Sequence, residues 1–329
     1  MSAVGSFAGA PVDQPDALLD VQVPLPALRP HDLLVQVGAV SVNPVDVKQR
    51  KSLPTSSEPT ILGFDAAGVV AAVGPEVTAY AVGDEVFYAG DITRQGSNAQ
   101  FQAVDERIVG RKPQSLSYQD SAALPLTAIT AWEALFERFG LTAESTGDLL
   151  VLGGAGGVGS IMIQLAKALT KVRVIATASR DDSRDWALQM GADDVIDHHD
   201  LQTQTRTIAP GGVDYLFSPH SAGNIETFAE IVRPFGHITA IDEPPGLDLL
   251  PLKAKSIAWH WELMFTRSLS GYDMIGQQNL LNDVAAMVDA GALRSTVTNV
   301  IGDFTAAGIR EAHRQVESGR MVGKVVITR

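Results

Sequence analysis

Six residues in the middle of the chain have a spacing that chemistry can use. Gly154-Ala155-Gly156-Gly157-Val158-Gly159 follows the pattern G-x-G-x-x-G. The apolar run Leu149 to Leu152 precedes it. After it, Ile161, Ile163, Leu165, Ala166 and Leu169 supply the apolar faces of a helix. In a strand, turn and helix of this kind the first glycine permits the turn. The second lets the backbone approach a pyrophosphate, and the third lets the helix pack close to the strand. The helix N-terminus then offers N–H groups and the positive end of its dipole to the phosphates. Gly154, Gly156, Gly157, Val158 and Gly159 are therefore expected to hold a dinucleotide. A glycine-rich turn needed only for packing is the plainer alternative.

The end of the next strand selects between dinucleotides. Val172 to Thr177 reads as that strand, and it runs into Ala178-Ser179-Arg180. An acid near Ala178 would bond the ribose 2′-OH of NAD, but the position is neutral. Ser179 can donate a hydrogen bond, and Arg180 can clamp a 2′-phosphate with two N–H groups. NADPH is the expected cofactor. Asp181 and Asp182 follow and oppose an incoming phosphate, and a solvated helix-start arginine is the plainer reading of Arg180.

The elements that must position these residues follow from pattern and punctuation. The first third reads as short strands, Leu33 to Val40, Ala67 to Val73 and Glu85 to Tyr88, broken by Pro30, Asn43-Pro44, Gly74-Pro75 and Gly83-Asp84. That suits a small barrel. The middle alternates strand and helix. Asp181 to Met190 is helical and ends at Gly191, while Asp194 to Ile196, Tyr215 to Phe217 and His237 to Ile241 are later strands. This is an α/β, doubly wound parallel sheet. Leu280 to Ala290 and Ala306 to Ser318 read as helices and Val325 to Thr328 as a closing strand. There is no internal repeat.

Composition removes several function classes. The chain has 329 residues, 45% hydrophobic, and a length that favours about two domains. A net charge of −13 argues against nucleic acid, which needs clustered Lys and Arg. No apolar stretch is long enough to span a bilayer, so no membrane role is expected. The small apolar N-terminus lacks the basic residues of a signal peptide. With no cysteine there is neither a disulfide framework nor a thiolate metal site, which fits a cytoplasmic protein.

Several motifs in order resemble the medium-chain dehydrogenase/reductase superfamily, most closely its quinone-oxidoreductase branch. They are Ser41-Val42-Asn43-Pro44-Val45-Asp46, Leu62-Gly63-Phe64-Asp65-Ala66-Ala67-Gly68-Val69-Val70, Gly83-Asp84-Glu85-Val86, Ala123-Leu124-Pro125-Leu126-Thr127, the glycine loop, and Gly323-Lys324-Val325-Val326. Tyr88-Ala89-Gly90-Asp91 and His260-Trp261-Glu262-Leu263-Met264-Phe265-Thr266-Arg267 resemble a bacterial subgroup often labelled zinc-binding alcohol dehydrogenase. The resemblance implies a GroES-like β-barrel catalytic domain over residues 1–126, a Rossmann NADPH-binding domain over 127–268, and a C-terminal segment, 269–329, returning to the first.

The sequence departs from the zinc members of that family. Asn43 stands where they carry a cysteine ligand, and Gly63-Phe64-Asp65 where they carry Gly-His-Glu. The seven histidines show no ligand spacing, and in a strand His198 and His199 would point to opposite faces. No metal is expected. Hydride transfer then needs hydrogen-bond donors to polarise the acceptor oxygen. By resemblance, Asn43, Asp46, Tyr88 and Thr127 line the cleft where this happens, with Asp46 orienting a neighbour. Each has a structural alternative: Asn43 before Pro44 shapes a turn, and Tyr88 fills a strand. Such donors suit electron-poor acceptors and suit simple alcohols poorly, because an alkoxide needs a base or a metal. Quinones are the leading substrate class and α,β-unsaturated carbonyls (enones) the alternative. An NADPH-binding protein with little turnover is the reading from another class.

The remaining expectations also rest on the resemblance. Ser218, His220 and Ile241, at the carboxyl edge of the sheet, are expected at the nicotinamide half, Phe265 and Arg267 near the cofactor, and Lys324 within reach of cofactor or substrate. The aromatic stretch Ile257 to Phe265 is expected at the edge where two Rossmann sheets pair in a homodimer. An internal core strand is its alternative.

Overall fold

The computed structural model describes residues 1–329. They form two compact units, Met1–Ile129 with Phe265–Arg329, and Thr130–Met264. These limits lie a few residues from the expected 126/127 and 268/269. The difference has a consequence for the site: Thr127, Phe265 and Arg267 belong to the first unit. The reason is visible for two of them. Phe265 packs its ring edge against Phe64, centroids 5.0 Å apart, and Arg267 pairs with Asp273.

The first unit begins with β1 (Ser2–Ser6), β2 (Leu19–Gln22), β3 (Asp32–Ser41), helix α1 (Pro44–Ser52), β4 (Thr60–Ile61), β5 (Asp65–Val73), β6 (Glu85–Ala89), β7 (Phe101–Asp105) and β8 (Val109–Arg111). Helices α2 (Tyr118–Ala122) and α3 (Pro125–Trp132) follow. Strand β3 organises this unit. It pairs antiparallel with β5 along its length and with β7 on its first half. Alternate residues Leu33, Val35 and Val37 enter the core, as a half-buried strand requires. Gly68 of β5 lies so close to β3 that a Cβ there would stand 2.1 Å from the Gln36 carbonyl oxygen. A small separate sheet, in the order β2-β1-β4, was not anticipated, because its strands are two to five residues long.

The second unit contains β9 (Asp148–Val151), α4 (Gly157–Leu169), β10 (Arg173–Thr177), α5 (Asp181–Gln189), β11 (Asp194–Ile196), α6 (Leu201–Ile208), β12 (Val213–Ser218), α7 (Ile225–Ile231), β13 (Val232–Ala240) and β14 (Ala258–Trp261). All pairings are parallel, in the order β11-β10-β9-β12-β13-β14. The order reverses beside β9, which is the doubly wound arrangement expected, with its ligand crevice at the carboxyl end of β9. Strand β14 is the edge of this sheet, so the reading of Ile257 to Phe265 as an internal core strand does not hold. Trp261 and Leu263 are each about half exposed there.

The chain then returns to the first unit through α8 (Thr266–Ser270), α9 (Met274–Asp289), β15 (Val297–Ile301), α10 (Ala306–Glu317) and β16 (Lys324–Thr328). Strand β16 pairs antiparallel with the second half of β3, with Ser41 opposite Val326. No helix is long and apolar enough to cross a membrane.

Candidate active site

Three strand ends of the first unit meet at one point. Strand β3 ends at Ser41, whose register partner on β5 is Asp65. Strand β16 starts at Lys324, beside the same end of β3. Two residues past Ser41, Asn43 caps α1, with Pro44 at the first helical position, where its missing N–H costs nothing. The backbone N–H of Asn43 donates to Asp46 Oδ2 at 2.7 Å, which fixes the turn.

The side chains of these residues form a closed, buried cluster. Asn43 Nδ2 donates to Asp65 Oδ2 at 2.8 Å. Lys324 Nζ donates to Asn43 Oδ1 at 2.5 Å, to the Val42 carbonyl at 3.2 Å and to Asp65 Oδ2 at 3.3 Å. Asp65 Oδ1 accepts the Leu126 N–H at 2.7 Å, which ties the start of α3 to the cluster. Asn43, Asp46, Asp65 and Lys324 are all buried. Three acceptors around Nζ match the three N–H bonds of an ammonium, one more than a neutral amine has. Burial pushes Asp65 up and Lys324 down, while each draws the other back toward its charged form. Asp46 has no cation at hydrogen-bond distance, and its Oδ1 is buried without a partner. Burial, with the Asp65 charge adding to it, raises its pKa to about 7.

Lys324 was expected within reach of cofactor or substrate. The structure places it in this cluster, with all three N–H bonds directed at protein acceptors. Thr127 was expected as a free donor. Its hydroxyl donates back to Leu124 O at 3.0 Å and lies 3.3 Å from Ala123 O, so its proton is held by the segment that leads into α3. Tyr88 pairs with Ala66 across β5 and β6, which puts its ring on the sheet face opposite to Asp65. It lies in the core, with its hydroxyl buried and unpartnered, and burial raises its pKa so that it keeps its proton. Asn43 and Asp46 are thus together, and Thr127 and Tyr88 are directed elsewhere.

In the second unit the glycine loop joins β9 to α4. Gly156 is the N-cap of α4 and no side chain caps that helix, which leaves its first-turn N–H groups for a ligand. A Cβ on Gly159 would stand 2.5 Å from Gly153 O and 2.7 Å from Gly154 Cα. One on Gly154 would stand 2.6 Å from Ala176 Cβ. The loop is as tight as a phosphate cradle requires, so its residues fit a dinucleotide pyrophosphate. Thr177 Oγ1 braces it by accepting the Gly153 N–H at 2.9 Å.

Arg180 lies at the N-terminus of α5, half buried beside half-buried Ser179, and its Nε sits 3.1 Å from Asp182 Oδ1. At the carboxyl edge, Ile241 N–H donates to Ser218 O at 3.0 Å, so the ends of β12 and β13 hold these two residues side by side. His220 is exposed, and its backbone N–H donates to Ser218 Oγ at 3.1 Å. A further pair was missed by sequence reasoning: Ser221 N and Oγ donate to the two oxygens of Asp242 at 2.6 and 2.7 Å. Also unforeseen is the pairing of buried Glu262 with buried Glu133. Burial, reinforced by the Glu133 charge, raises Glu262 to about 9. Arg138 Nε, 3.2 Å from Glu262 Oε2, offsets part of this rise.

His198 and His199 do not point to opposite faces. They lie in a 3₁₀ turn, not a strand, with ring centroids 4.1 Å apart on the exposed surface.

Residues 29–124 match the family described as alcohol dehydrogenase GroES-like domain, and residues 190–327 that described as zinc-binding dehydrogenase. A zinc-type alcohol dehydrogenase-like protein of Staphylococcus epidermidis is 39% identical, over 99% of each chain. The 2-methylene-furan-3-one reductase of Solanum lycopersicum is 32% identical, over 94% of this chain and 74% of its own. Among solved structures, a putative zinc-dependent alcohol dehydrogenase protein from Rhizobium etli CFN 42 superposes with a TM-score of 0.96 at 47% identity, covering 100% of this chain and 98% of its own. On these grounds, the chain belongs to the medium-chain dehydrogenase/reductase superfamily of oxidoreductases.

Proposed function

We propose that the protein is an NADPH-dependent reductase that delivers hydride to electron-poor conjugated carbonyl compounds without a metal ion. The observation that carries this is the Asn43–Asp65–Lys324 cluster. An amide is a poor zinc ligand and the Phe64 ring is none, so two positions that hold zinc in other family members offer no ligand. Asp65, the one carboxylate of the set, already faces an ammonium at 3.3 Å. A dication there would meet a fixed positive charge. These residues do not fit zinc, although the staphylococcal relative carries zinc-type in its name.

NADPH, when bound, supplies a hydride. Gly154, Gly156, Gly157, Val158 and Gly159 would hold its pyrophosphate on the N-terminus of α4. Ser179 and Arg180 would hold the 2′-phosphate, while Ser218 and Ile241 orient the nicotinamide half. Asn43 would donate an amide N–H to the acceptor oxygen and stabilise the negative charge that develops on it. A donor of this strength suits an acceptor whose charge is delocalised, as in a quinone or an enone. The tomato relative is named for reduction of a methylene-furanone, an exocyclic enone, and this favours the enone reading beside the quinone one.

The test is turnover, followed by loss of reduced nicotinamide absorbance with a panel of quinones, enones, aldehydes and simple alcohols. Activity on quinones or enones, with NADPH preferred to NADH, is expected. Activity confined to simple alcohols, or no turnover with any acceptor, would overturn the reading.

A further inference from the structure

We propose that Lys324 is a positioning residue for hydride transfer: its buried ammonium occupies the electrostatic place of a metal ion and fixes the amide of Asn43 so that one N–H is left for the acceptor. This rests on the reductase reading above and deepens it.

Donor and acceptor types fix the orientation of the Asn43 amide. An ammonium can only donate, and an ionised carboxylate can only accept. Asn43 lies between one of each. Its oxygen must therefore face Lys324, at 2.5 Å, and its nitrogen must face Asp65, at 2.8 Å. The amide is locked against the flip that an asparagine between neutral partners can make. Its Nδ2 carries two N–H bonds. Asp65 takes one, and the other has no protein acceptor. A cation on the amide oxygen draws density from the nitrogen and makes that remaining N–H a stronger donor, as linked hydrogen bonds do in a dry interior.

Lys324 does not reach a ligand itself. Its three N–H bonds end on Val42 O, Asn43 Oδ1 and Asp65 Oδ2, so none is left for a ligand. Its effect on an acceptor must pass through Asn43. The cation is also placed by the fold, not by diffusion, because β3 pairs with both β5 and β16. A metal ion is lost to a chelator. This charge is covalently part of a strand.

The experiment uses three full-length variants. Lys324→Met removes the cation and leaves Asp65 buried and unpaired. Lys324→Met with Asp65→Asn removes both charges, which restores electrical balance and keeps the fold testable. Lys324→Cys introduces the only cysteine of the chain, and alkylation of the unfolded protein with bromoethylamine followed by refolding rebuilds an ammonium of nearly lysine length. Thermal midpoint, NADPH affinity by fluorescence, kcat and KM are measured for each.

The double variant should recover most of the thermal midpoint lost by Lys324→Met, yet keep kcat lowered by roughly tenfold to a hundredfold, the range for a weakened oxyanion donor. NADPH affinity should stay within about twofold of the parent, and the aminoethylated cysteine should regain most of kcat. A double variant with the parent's kcat would overturn the inference, as would a loss of NADPH affinity in proportion to kcat. Failure of the reductase reading looks different: the parent protein would show no turnover with any quinone or enone.

Discussion

Asp65 and Lys324 stand 259 residues apart in the chain, yet their charged groups lie 3.3 Å from each other at the ends of two strands that both pair with β3. Asn43 is held between them. Asn43→Ala should therefore lower turnover by about a hundredfold while NADPH affinity is kept. Thr127→Val should change turnover by less than about threefold, because the Thr127 proton is already held by the Leu124 carbonyl. Steady-state kinetics beside a binding titration separate the two. Equal losses for both variants would show that Asn43 has no special place.

Cofactor choice should respond to two neighbouring charges in opposite directions. Arg180→Ala should weaken NADPH about ten- to a hundredfold and leave NADH nearly unchanged. Asp182, 3.1 Å from Arg180 Nε, competes with a phosphate for the guanidinium. Asp182→Asn should accordingly tighten NADPH by a few-fold and not NADH. Calorimetric titration of both cofactors checks this. A parallel loss for NADPH and NADH in Arg180→Ala would assign the residue to the fold.

The pH dependence of stability should carry two opposing signatures in the first unit. His313 is buried with both ring nitrogens unpartnered, and burial, then the Arg50 charge, depresses its pKa to about 3. Below the unfolded value near 6.5 the unfolded chain binds the extra proton, so stability falls as pH drops from about 6.5 to about 3. Asp46 behaves in the reverse sense. Its folded pKa of about 7 lies above the ordinary 3.8, so its contribution is full below about 4 and is lost as pH rises through 7. Thermal melts should show His313→Leu more stable than the parent near pH 5, and Asp46→Asn more stable near pH 8. A variant whose melting profile runs parallel to the parent's at every pH would contradict the corresponding assignment.

Assembly should follow from the edge of the parallel sheet. Strand β14 has a partner only on its β13 side, and Trp261 and Leu263 are about half exposed beside it. An uncovered apolar edge of this kind invites strand pairing. We propose that two copies join there about a two-fold axis as a homodimer. Light scattering at micromolar concentration should give twice the chain mass, and Trp261→Lys with Leu263→Lys should give a monomer. A monomeric parent would contradict this.

What could be read from the sequence was the part whose signal is local. The glycine loop, the alternating strands and helices of the second unit, and Gly191 closing α5 all announce themselves within a few residues. The start of β13 did not. The sequence places that strand at His237 to Ile241, but it runs from Val232, through Phe235 with a φ of 61°. The acid at Asp65 was visible only as a departure from a histidine–glutamate motif. Its partner could not be found from spacing, because strand register and not sequence distance brings Lys324 beside it. Thr127 looked like a free donor because its residue type says nothing of the Ala123 and Leu124 carbonyls that its hydroxyl reaches.

The most direct test of the central claim is elemental analysis of the purified protein together with NADPH-dependent rates on a quinone and an enone before and after exhaustive chelation. Substoichiometric zinc and unchanged rates are expected, since the one fixed cation of the cluster is Lys324. Stoichiometric zinc, with activity abolished by the chelator and recovered on adding the metal back, would contradict it.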